Sequence, residues 1–200
     1  MTRRRTGMVA LLVALALLTG ARNPDVERVL RVGVMVTDET YLAPVDGFRD
    51  GLRDLGYGEG EHVTYAIRNA RMDRAQLKAF AEEFVRERVD LIFTATHIGA
   101  LAAKEATASI RTPVLFAPAG DPVETGLVRS IASSGNNMTG VSTLSLELTG
   151  KRLEILTRIV PGVKRVAILY NPEYAFSVTV ARLAHEAGER LGLTIRAVEG

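Results

Sequence analysis

Several small groups of polar and aromatic side chains in this chain have the chemistry to hold a small polar molecule. Thr37, Asp38, Thr40 and Tyr41 fall in one short stretch behind an apolar run. Thr96 and His97 follow another apolar run, and Asp121 stands in Gly120-Asp121-Pro122. Thr139 sits in Asn136-Asn137-Met138-Thr139-Gly140, and Asn171 and Tyr174 lie further on. Hydroxyls and helix-start amides donate to a carboxylate. An ionised Asp only accepts, so Asp121 suits a ligand ammonium, and a Tyr ring stacks on a flat ligand. Each group also has a plain structural role open to it. Thr96 is a natural N-cap, Gly-Asp-Pro and Asn-Pro start turns, and a polar loop after a strand is solvated by default. Thr139 and Ser142 suit hinge backbone better than ligand contact.

The same inventory is poor in catalytic parts. There is no cysteine, which removes a thiol nucleophile, thiolate metal sites and disulfides. His62, His97 and His185 fall on separate predicted elements, without metal-ligand spacing. Gly56, Gly58 and Gly60 follow a predicted helix and precede a predicted strand, the reverse of a dinucleotide-binding turn. No phosphate-loop lysine and no Gly-x-Ser-x-Gly elbow occur. The expectation is a binding protein with no catalytic residues, no cofactor and no metal.

Positioning these residues falls to an alternating series of strands and helices. Leu30–Val36 is a largely apolar run, as in a strand buried on both faces. Val45, Phe48, Leu52 and Leu55 recur at helical spacing over residues 42–55, and Gly56-Tyr57-Gly58 stops that helix. His62–Ile67 alternates like a strand. Asp73 with Gln76 resembles a capping box, before a helix lined by Leu77, Phe80, Ala81, Phe84 and Val85. Asp90–Thr94, an Ala-rich helix over Ile98–Ser109 and a strand over Thr112–Ala117 complete a βαβαβαβ series. This series predicts an α/β fold, a parallel sheet with helices on both faces. A flavodoxin-like order, 2-1-3-4, puts the loops after the first and third strands across one crevice, with the Asp121 loop beside them. A short helix is expected between Asp121 and Asn136.

A second unit is expected from residue 143 on. It comprises a helix over Leu146–Val160, a buried strand over Val163–Tyr170, a helix marked by Val180, Leu183, Ala184, Ala187 and Leu191, and a strand over Leu193–Val198. Two strands do not make a stable lobe, so this second lobe is expected to be incomplete in the present chain. At the other end, Arg3-Arg4-Arg5, the apolar Met8–Leu18 and Thr19-Gly20-Ala21 have the layout of an export signal over residues 1–21. The apolar run is short for a membrane span. Ala21 stands where a lipoprotein carries its cysteine, so no lipid anchor is expected. The three arginines of the signal leave 22 basic and 23 acidic side chains in the remainder, a net charge of −1. That balance argues against a nucleic-acid or anionic-membrane partner. Residues 22–142 are then the first lobe.

The segment Phe116–Ser142, FAPAGDPVETGLVRSIASSGNNMTGVS, closely resembles the substrate-binding protein family of ABC transporters whose best-known members bind tryptophan or tyrosine. That family reads GDPV, GLV and GN-x-TGVS in this order. Gly47–Tyr57, Gly150–Glu154, Val160–Ala167 and Leu169-Tyr170-Asn171-Pro172 extend the resemblance through most of the chain after Leu30. The family usually has Gly-Thr-Pro where this chain has Thr96-His97-Ile98, so the sequence departs there. The resemblance implies a type I periplasmic binding protein fold, two α/β lobes closing on a ligand. It implies an extracytoplasmic solute-binding protein of an ABC importer, taking an amino-acid-like or other small polar solute and docking on a membrane permease. Asn171, Tyr174 and Phe176 would then lie on the second lobe's ligand-facing loop. Two other readings stay open: a sensory ligand-binding module of a receptor, and a nucleotide-dependent α/β enzyme.

Overall fold

The structure is a computed structural model that describes residues 28–200. The expected export signal and its cleavage position lie outside the described residues. Among the described residues, no helix is long and apolar enough to cross a membrane. The chain divides after Val141 into two compact units.

The first unit carries β1 (Leu30–Val36), a single 3₁₀ turn (Glu39–Tyr41), α1 (Leu42–Asp54), β2 (Val63–Asn69), α2 (Arg74–Arg86), β3 (Leu91–Thr94), α3 (His97–Ala106) and β4 (Val114–Ala119). A fifth strand, β5 (Met138–Ser142), closes it. The sheet order is β2-β1-β3-β4-β5. The expected 2-1-3-4 order therefore holds, with one strand added at the edge. β1 pairs in parallel with β2 and β3, and β3 with β4.

Alternation of side chains along each strand divides the core in two. Met35, Ile92, Val114 and Phe116 pack under α2 and α3 with Leu77, Ala81, Phe84, Ala100 and Ala103. Val32, Val34, Val36, Phe93, Ala95 and Leu115 pack on the other face with Val45, Phe48 and Leu52 of α1. Phe48 stacks on Phe93 at 4.5 Å between ring centroids. Gly33 lets α2 approach: a Cβ there would lie 2.6 Å from the Phe84 ring.

Three sequence expectations need correction. Residues between Asp121 and Asn136 form turns, not a short helix. Gly126 and Gly135 take φ values of 71° and 72°, which end any helical continuation there. Residues 138–142, where Thr139 and Ser142 were expected as hinge backbone, form a strand. β4 also runs through Pro118 to Ala119. Its pairing with β3 ends at Phe116, so no β3 partner asks for the N–H that Pro118 lacks.

The second unit holds α4 (Leu148–Ile159), β6 (Arg165–Tyr170), α5 (Ala175–Arg190) and β7 (Thr194–Glu199). β6 and β7 form a two-stranded parallel sheet. Leu153, Ala184, Ala187, Leu193 and Ile195 make its small core. β6 was expected to be buried. Instead its residues alternate between exposed and half-buried, and Leu169 is 77% exposed. Helices cover one face of this small sheet, and the other face of β6 has no cover among the described residues.

Candidate functional site

The carboxyl ends of β1, β3 and β4 bring several of the singled-out residues to one end of the first unit. β1 pairs with β3 through Met35 opposite Thr94, so Thr37 follows alongside Thr96. Alternation puts Thr37, Thr94 and Thr96 on the α2/α3 face, the face of Met35 and Ile92. All three are buried, at 4%, 0% and 7% exposure.

Their hydroxyls are used differently. Thr96 is the N-cap of α3, and its Oγ1 accepts from the Gly99 amide at 3.1 Å. Thr94 is packed below, where Gly99 has no room for a Cβ against Thr94 Oγ1. Among the described residues the Thr37 hydroxyl has no hydrogen-bond partner. A buried hydroxyl left unsatisfied costs about 1–3 kcal/mol, so it marks a place where a polar group of another molecule would be stabilised.

His97 opens α3 and is 8% exposed. Burial holds its imidazole below the usual histidine range, because taking a charge out of water disfavours the protonated ring. The start of a helix also carries partial positive charge, which favours an anion and opposes an imidazolium. This end of the unit thus combines a helix N-terminus of ten residues, a neutral imidazole and an unsatisfied hydroxyl.

The loop after β1 is tied mainly to itself. Asp38 caps the 3₁₀ turn, and its Oδ1 accepts from the Thr40 amide at 2.7 Å and the Thr40 hydroxyl at 2.5 Å. Tyr41 is exposed. The loop after β2 closes over this region: the Met72 amide donates to the Thr37 carbonyl at 2.7 Å. Arg71 and Met72 do this with left-handed φ values of 49° and 66°. Neither the Arg71–Met72 closure nor the Thr94 contact was singled out from sequence. Non-glycine residues give no local sign of such a turn, and Thr94 reads as an ordinary strand end.

Asp121 follows β4 and is half-buried. Its Oδ1 accepts from the Val123 and Glu124 amides at 3.1 and 3.2 Å, and its carbonyl accepts from the Thr125 amide. The turn role of Asp121 is therefore filled on one carboxylate oxygen. Thr139 is not brought to this group. It lines a mostly apolar cavity of about 540 Å³ with Leu30, Leu91 and Val114, at the amino ends of the strands. That cavity lies at the opposite end of the sheet from Thr37 and Thr96.

In the second unit, Asn171 organises the start of α5. Its Oδ1 accepts from the Glu173 amide at 2.9 Å, and its own amide donates to Ser177 Oγ at 2.9 Å. Tyr174 is the N-cap residue of α5, without a side-chain cap, and its ring lies 5.7 Å from that of Phe176. No three of His, Asp or Glu come together as a metal-binding group among the described residues.

Residues 30–199 match the model of a family described as ABC transporter substrate binding protein. A curated tyrosine-binding protein of Clostridioides difficile is 35% identical over 126 residues, which is 62% of this chain and 35% of that protein. Among solved structures, a conserved domain protein from Vibrio cholerae matches with a TM-score of 0.79 at 27% identity. An ABC domain from Streptococcus pneumonia in complex with L-Trp matches with a TM-score of 0.77 at 24% identity, a likeness of fold. A ligand-free, open substrate binding protein with adhesive properties from Clostridium difficile matches at 0.65 and 27% identity. All three comparisons cover 86% of this chain and 58% of the other. The chain thus spans little more than half the length of these structures and about a third of the curated relative's.

Proposed function

We propose that this chain, which belongs to the family of ABC transporter substrate binding proteins, captures a free amino acid for import. The observation that carries the reading is the buried, unsatisfied Thr37 hydroxyl beside the start of α3. A carboxylate settling there gains the Thr37 donor and the positive end of the helix. Asp121, at the neighbouring strand end, would use its second oxygen for the ammonium group. Tyr41, Asn171 and Tyr174 would add contacts to the side chain, with a second α/β lobe closing on the first. The tyrosine-binding relative and the L-Trp complex among the fold neighbours favour an aromatic amino acid.

The role is capture without chemistry, so no catalytic residue or cofactor is assigned. The protein acts outside the cytoplasm after removal of residues 1–21, and it delivers its ligand to a membrane permease. Binding to the native state raises the melting temperature by mass action. L-Tyrosine or L-tryptophan at millimolar concentration is expected to raise it by several degrees, an effect of about 2 kcal/mol or more once ligand far exceeds Kd. A flat thermal profile with all twenty amino acids would overturn the amino-acid reading.

A further inference from the structure

His97 stands at the carboxyl end of the sheet, next to Thr96 and near Thr37. It is the first residue of α3, directly after the Thr96 cap, and it is buried. His97 therefore starts its helix at the strand ends where Thr37 and Thr96 lie.

The charged groups on the surrounding elements are exposed or engaged by other groups. The loop after β1 contributes Asp38, held by Thr40, and exposed Glu39. After β2 stand Arg71 and Asp73, the latter capping α2. On α2, Arg74 is exposed and Lys78 pairs with Glu105 at 2.8 Å. On α3 itself Lys104 donates to the Gly126 carbonyl, and after β4 come Asp121 and Glu124. None of them contributes to the lowering at His97, whose cause is burial. At neutral pH the ring is an uncharged donor and acceptor.

We propose that His97 is a specificity-determining residue that meets the acidic group of the ligand, so that the site selects carboxylates and takes each one up together with a proton. The inference rests on the amino-acid reading above. Without ligand, the ring stays neutral in its buried place. A carboxylate within hydrogen-bonding reach reverses that preference, because an opposite charge favours the protonated ring. The proton comes from solvent to an imidazole nitrogen, and no covalent bond changes. The sign follows: the His97 pKa is low in the free protein and higher in the complex. Affinity therefore rises as pH falls through the bound-state value, and it levels off below the free-state value. Above both values, binding moves no proton.

Calorimetry on the whole chain tests this with L-tyrosine and L-tryptophan, at pH 6 and pH 8, in two buffers of different ionisation heat. Uptake of about half a proton or more is expected at pH 6 and almost none at pH 8. Affinity should be about threefold or more tighter at the lower pH. Tyramine and tryptamine, which lack the carboxylate, should show no uptake. His97→Gln keeps a neutral donor but cannot take up a proton near neutral pH, so it should abolish the uptake and the pH dependence of affinity. Equal heats in both buffers at pH 6 would overturn the proposal, as would uptake that persists in His97→Gln. If that variant fails to fold, the buffer comparison on the parent chain decides alone. Absence of binding by both amino acids at both pH values would instead overturn the aromatic amino-acid reading, an outcome distinct from binding without proton uptake.

Discussion

Thr37 separates a binding role from a structural one more cleanly than any other residue here. Its hydroxyl is buried and has no hydrogen-bond partner among the described residues. Thr37→Val keeps the shape and removes the unsatisfied polar atom, so the ligand-free protein should lose no stability and its melting temperature should hold or rise slightly. If the hydroxyl is there for the ligand, affinity for L-tyrosine should fall about tenfold, the equivalent of one lost hydrogen bond. A thermal melt and a binding titration on the same variant check both halves. A clear loss of ligand-free stability would make Thr37 structural. Asp121 differs, because its Oδ1 already holds two amides of its own turn. Any loss of affinity on its removal would mix turn stability with ligand contact.

At the scale of the element, α3 is set down on the ends of β3 with almost no tolerance. Gly99, in its first turn, faces Thr94 Oγ1 so closely that a Cβ has no place, and Thr96 Oγ1 lies 3.2 Å from the same point. Two effects compete in Gly99→Ala. Alanine improves helix propensity by about 1 kcal/mol. Overpacking a rigid buried neighbour costs about 1–3 kcal/mol. Thr94 is fully buried and shares a strand end with the cap, so it cannot swing clear. The clash should win, with a net loss of about 1–2 kcal/mol in urea unfolding. The same variant should weaken amino-acid binding, because α3 must lift away from the Thr37 side to make room. An unchanged urea midpoint would mean that α3 adjusts freely, and the case for a pre-set anion site would weaken with it.

For the whole molecule, the unequal build of the two units has a consequence in dynamics. The first unit has five strands with two buried core clusters. The second has two strands, one core cluster of five buried residues, and a strand whose Leu169 side chain is largely in water. Local opening free energy follows buried apolar contact. Amide hydrogen exchange on this chain should therefore show β1 and β3 protected to the global limit, with β6 and β7 exchanging much faster. Equal protection in both units would contradict this expectation.

Composition and periodicity alone determined a good deal. They set the alternating strand and helix order, because apolar runs and helical faces repeat with periods that depend only on local geometry. They also gave the sheet order, since right-handed crossovers leave few choices. The Asp73 and Thr96 caps were legible because a capping side chain bonds to amides within three residues. Only the tertiary structure decided the rest. Residues 138–142 become a strand because β4 offers a free edge, although Thr139 and Ser142 were expected as hinge backbone. Thr139 goes to the opposite end of the sheet from Thr37, because strand direction, not residue type, sets which end a side chain occupies. The left-handed Arg71–Met72 turn and the unsatisfied Thr37 hydroxyl depend on backbone closure between β1 and β2. Burial that leaves a hydroxyl without a partner is a property of the packed neighbours, and no window of sequence contains them all.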